Sequence, residues 1–139
     1  MLAFMKILHL FGLMLGAGGG MGSAMVGIQA SRADGPPPPA LLALRKNFAL
    51  AALIGVLLLW ITGLWMWLVD YRGAWLGTAF ALKLAAAAAI LAILVAVRLA
   101  MARTAPGSPP PGWLQRLGPV SGLLAYVAVA LAVIAFSGA

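Results

Sequence analysis

The chain has no cysteine, a single histidine and only two acidic side chains, Asp34 and Asp70. Without cysteine there is no disulfide, no thiolate metal site and no thiol nucleophile. Charged residues of either sign make up 8% of the sequence, against 65% hydrophobic residues, where a soluble domain carries about 25% charge. A core of this composition could not be coated with a wettable surface. Strand-like alternation is also missing, which argues against a membrane β-barrel.

What is present is apolar sequence in four long blocks, about 2–29, 47–69, 78–100 and 119–137. Each is long enough to cross a hydrocarbon layer of ~30 Å as a helix rising ~1.5 Å per residue. The expected fold is all-α, a polytopic four-helix membrane bundle forming one transmembrane domain over 1–139. The first block reads as a retained span rather than a cleaved signal peptide, because its apolar run exceeds the usual ~7–15 residues and passes any small-residue cleavage site.

The net charge of +7 does not point to nucleic acid, because the cations sit at the ends of apolar segments, where they face lipid headgroups. Arg32, Arg45, Lys46, Arg98, Arg103 and Arg116 fall in or beside the first and third linkers. Lys6, Arg72 and, where it reaches that surface, Lys83 fall on the other side. The positive-inside rule then places both termini on the periplasmic side of a bacterial inner membrane and both Pro-rich linkers, 30–46 and 101–118, in the cytoplasm.

Span one carries seven glycines and the sole histidine, His9. Projected at 100° per residue, His9, Gly12, Gly16, Gly20, Ser23 and Gly27 share one face with Met5. Small residues at this spacing let another helix approach closely, so His9 should face protein rather than lipid. Met14, Met21 and Met25 form a stripe on the opposite side, which suits apolar filling or lipid contact better than soft-metal binding. Span two ends in Trp60, Trp65 and Trp67, followed by Asp70, Tyr71, Arg72 and Trp75, the aromatic belt of a membrane interface. Gly73 and Gly77 should make a tight turn into span three, and Pro119 should open span four at its first turn.

His9 lies ~10 Å into span one, a depth similar to those of Thr62 and Gly63 in span two and Lys83 in span three. If those spans are neighbours, His9, Thr62 and Lys83 line one pocket, with Asp70 and Tyr71 above it. Lys83 also has the simpler option of snorkelling to the surface. An imidazole at this depth can ligate a haem iron, with Gly12 and Gly16 leaving room for a flat macrocycle, or it can relay protons. A second histidine ligand within the chain is excluded, so a sixth ligand would be Met5, Lys83, water or a residue from another subunit.

KILHLFG (Lys6 to Gly12), the Gly-rich run after it, GLWMW (Gly63 to Trp67) and FALKLA (Phe80 to Ala85) resemble the HemJ-type protoporphyrinogen oxidases and the related CopD-like four-helix membrane families. The resemblance extends over the whole chain in length, span number and placement of the His and Lys. It implies haem b bound through His9, which is then the metal ligand, with Lys83 as a catalytic residue. The implied reaction is oxidation of protoporphyrinogen IX, the porphyrin substrate. The Arg/Tyr/His-rich stretch and the Tyr-His-Gly motif of those oxidases are replaced here by GSAMVGIQAS and VAVRLAMAR. Other readings are a non-enzymatic accessory or assembly subunit of a larger membrane complex or homo-oligomer, and a CopD-like copper-handling protein.

Overall fold

The computed structural model of the protein describes residues 1–105 and 111–137. Four helices follow one another: α1 (Leu2–Arg32), α2 (Pro39–Asp70), α3 (Thr78–Arg103) and α4 (Gly112–Ser137). No strand occurs among the described residues. All four helices are long and apolar enough to cross a membrane, and the chain is a multi-pass membrane protein. An apolar chain in lipid must satisfy its backbone internally, and helices do so within each segment.

The chain divides into two compact units, Met1–Ala74 and Trp75–Ala139. In the first, α1 and α2 pack as an antiparallel hairpin. Each step of α1 toward its C-terminus is matched by a step of α2 toward its N-terminus: Gly12 meets Leu59, Gly16 meets Gly55, Gly19 meets Ala52 and Gly22 meets Phe48. In the second, Phe80 at the start of α3 meets Phe136 at the end of α4, with ring centroids 6.1 Å apart and planes at 79°. That edge-to-face pair fixes α3 and α4 as antiparallel too.

The α1–α2 contact is backbone on backbone. A methyl group on Gly12 would lie 3.0 Å from the Gly55 carbonyl oxygen and 3.1 Å from the Leu59 nitrogen. One on Gly19 would lie 2.5 Å from the Ala52 nitrogen and 2.7 Å from the Phe48 oxygen. The buried positions of α1 are Gly12, Gly19 and Val26, and those of α2 are Ala52, Gly55 and Thr62. This corrects the phase of the expected seam. Gly20 is exposed with nothing within 4 Å of a methyl placed there, and Gly19 takes its place. The contact line steps by four and three residues, a period of ~3.5, whereas the projection at 100° per residue assumed a straight helix, which drifts ~20° per heptad from that line.

Two neighbouring alanine substitutions separate these phases. Gly20→Ala should leave stability unchanged or raise it by up to ~1 kcal/mol through helix propensity, whereas Gly19→Ala should cost about 1–3 kcal/mol by pushing backbones apart. Unfolding of the two variants in detergent micelles checks this, and equal effects would contradict the observed seam.

The helix ends show why the boundaries fall where they do. Helix α2 starts at Pro39, earlier than the expected Asn47, because Pro38 is extended and proline is well suited to the first turn, where its missing N–H is not needed. Its end is closed by the Gly73 N–H donating to the Trp67 carbonyl (3.1 Å) and the Trp67 indole N–H donating to the Ala74 carbonyl (2.9 Å). Gly73 and Gly77 have φ of +68° and +94°, the left-handed region that favours glycine, so the expected turn is there. Arg72 shares that region at φ +51°, a conformation that costs a non-glycine residue about 1 kcal/mol. Pro119, expected at the first turn of α4, lies inside the helix instead, because α4 already begins at Gly112.

A candidate ligand histidine on the first hairpin

The glycine contacts bring α2 close enough for its Thr62 to reach His9. The His9 Nδ1 lies 2.8 Å from Thr62 Oγ1. Thr62 is only 1% exposed, and its hydroxyl also lies 2.7 Å from the carbonyl oxygen of Leu58, one turn earlier on the same helix. A carbonyl can only accept, and a hydroxyl has one proton to give. The short Leu58 contact therefore takes the Thr62 proton, and the His9 contact must be made by an Nδ1–H donating to Oγ1. Balancing the hydrogen bonds in this way assigns a proton to Nδ1, which donates to Thr62 Oγ1. Threonine at this position suits the relay because its hydroxyl readily back-bonds to the preceding turn.

Gly63, next to Thr62, keeps the ring's other flank clear. A methyl there would sit 3.4 Å from His9 Cε1, in ordinary contact, so alanine fits but a larger side chain would have to move the imidazole. Because the protein has one histidine, nitrogen NMR of histidine-labelled protein in micelles reads this site without ambiguity. The expected spectrum shows a protonated Nδ1. An unprotonated Nδ1 would contradict the relay.

Gly12 and Gly16, which the sequence suggests as room for a macrocycle, border the same hairpin. The space on their open side is taken up by α2: the Gly55 backbone lies against Gly12, and a methyl on Gly16 would be 3.8 Å from Gly55 and Val56. Their role in this hairpin is to let α2 approach, which is what puts Thr62 on His9. The structure thus brings His9 and Thr62 together, while Gly12 and Gly16 line the α1–α2 contact beside them.

Lys83 belongs to the second unit. Its ammonium lies 5.6 Å from the ring centroids of both Phe80 and Phe136, a two-ring cation–π arrangement. Sequence reading identifies Lys83 as a buried-capable cation but misses Phe136, which arrives from the other end of the unit. No group of three or more His, Cys, Asp or Glu side chains converges among the described residues. Met14, Met21 and Met25 are 69%, 57% and 61% exposed, so they stand on the outer face of α1 as expected.

No family model, characterised protein or solved structure matches the chain.

Proposed function

We propose that this multi-pass membrane protein binds haem b through His9 and serves a redox role in tetrapyrrole metabolism, acting on a porphyrin substrate in the manner of the HemJ-type oxidases it resembles. One observation carries the reading: the buried Thr62 hydroxyl accepts from His9 Nδ1–H and so orients the imidazole ring. Metal-ligating histidines characteristically donate their other ring N–H to such an oriented acceptor, which fixes the ring and raises its basicity. His9 is the residue that would hold a haem iron, through its imidazole. Haem b, when bound, supplies a one-electron redox centre. The chain's own part is to orient the imidazole through Thr62, keep its flank clear at Gly63, and exclude water with an apolar hairpin. The observation that carries the reading lies in the first unit alone. In a bacterial inner membrane with both termini periplasmic, His9 lies in the periplasmic half of the bilayer.

Two assays test the proposal. Protein purified in detergent from haem-replete cells should contain haem b at close to one per chain, and the gene should rescue a strain lacking protoporphyrinogen oxidase. Protein without haem would overturn the cofactor. Haem-loaded protein without rescue would remove the named reaction.

The backbone contacts at Gly12, Gly19 and Gly55 favour a second reading, in which span one serves only to pack and the chain is a non-enzymatic subunit of a larger membrane complex. That reading predicts haem-free protein recovered with a stoichiometric membrane partner.

A further inference from the structure

The second unit contains Lys83, Arg98, Arg103 and Arg116 but no aspartate or glutamate, since Asp34 and Asp70 both belong to the first. No carboxylate side chain of its own can balance them. Three of the four gather at one end, where α3 finishes and α4 begins. At that same end a cavity of about 510 Å³ opens between the two helices. Its wall is apolar along α3, from Ala96, Leu99 and Ala100, and it is completed by Arg103, Thr104 and Trp113. The Thr104 hydroxyl donates to the Ala100 carbonyl at 2.8 Å, so its proton is committed to the helix end. Among the described residues, Arg103 is left as the one charged donor lining the cavity.

We infer that this cavity is a binding site for one anionic phospholipid, with the phosphate on the Arg103 guanidinium and the head of an acyl chain against Ala96, Leu99 and Ala100. The volume lies in the ~300–1,000 Å³ range of small-molecule sites. A planar guanidinium suits a phosphate through paired hydrogen bonds. The apolar wall continues along a helix that is itself long enough to cross the membrane, which gives the chain of a lipid a path that a free phosphate does not need. Basic pockets between spanning helices at a membrane surface have this chemistry. Trp113, at the start of α4, adds an indole of the kind that sits at headgroup level.

The test is native mass spectrometry of the full chain released from nanodiscs made of equal parts phosphatidylglycerol and phosphatidylcholine. Wild type should retain one phosphatidylglycerol, enriched about fivefold over phosphatidylcholine. Arg103→Gln should bring the ratio to about unity, and Arg103→Lys should restore part of it. Arg98→Gln, which removes a cation from the same helix end but not from the cavity wall, should keep most of the enrichment. Ala100→Phe, which fills the cavity without changing charge, should lose it. The inference is overturned if wild type shows no enrichment, if Arg98→Gln and Arg103→Gln lose it equally, or if Ala100→Phe retains it. Inorganic phosphate should not raise the thermal stability of the protein in neutral detergent, whereas phosphatidylglycerol should. An equal rise with both would assign the site to phosphate and overturn the lipid.

Discussion

Gly55→Leu should take α1 off α2 and release His9 from Thr62 in a single step. Even one methyl group on Gly55 would collide with the Gly16 nitrogen, and would lie 2.7 Å from both the Gly16 Cα and the Gly12 carbonyl oxygen. These are backbone atoms, which cannot swing aside as a flexible side chain can. Overpacking of this kind costs about 1–3 kcal/mol, and leucine adds three further carbons to the clash. Lipid offers no compensation, because the displaced helices lose van der Waals contact without any hydrophobic gain. The protein should unfold at a markedly lower temperature or sodium dodecyl sulfate concentration, and the His9 nitrogen signals should no longer show Nδ1 uniformly protonated. Gly16→Ala is the matched control. Its new methyl would sit 3.8 Å from its neighbours, in ordinary contact, so it should be close to neutral. A Gly55→Leu protein as stable as Gly16→Ala would show that the seam does not hold the hairpin together.

The second large effect concerns Thr62. Thr62→Val keeps the shape and removes the oxygen that accepts from His9 Nδ1. Losing a hydrogen bond between groups this buried costs about 1–3 kcal/mol of stability. The larger consequence is for ligation. Removing the group that orients a metal-binding histidine typically lowers affinity about 10–100-fold. Haem titrated into the protein should therefore bind Thr62→Val about 10–100-fold more weakly than wild type, while Thr62→Ser, which restores the hydroxyl, should recover most of the loss. If Thr62→Val and wild type bind alike, the hydroxyl is a packing detail of α2 and the proposed orientation of His9 fails.

Much of this arrangement can be read from the residues themselves, and the remainder cannot for identifiable reasons. Four spans follow from block length and hydropathy, because a membrane imposes one length scale on every helix. The meeting of His9 with Thr62 follows from depth, since two antiparallel helices entering from one surface place residues at equal distances side by side. The seam's phase does not follow from an ideal helix. Gly19 rather than Gly20 faces α2 because the contact line follows a ~3.5-residue period, which only a partner helix reveals. The start of α2 at Pro39 and the position of Pro119 inside α4 depend on how far the helices continue beyond the apolar blocks, about which hydropathy is silent. Lys83 beside Phe136 joins residues far apart in sequence, with no local signal to announce the pairing. The closure of Gly12 against Gly55 has the same character: a small-residue face is legible in one helix, but the backbone that fills it belongs to another.

The observed His9–Thr62 contact makes His9 the residue on which the proposed haem ligation is tested. The most direct measurement is the reduced-minus-oxidised optical spectrum of wild type and His9→Ala, both purified in detergent from haem-replete cells. Wild type should show Soret and α bands and His9→Ala should show neither. A wild type without those bands, or bands that persist unchanged in His9→Ala, would contradict the account.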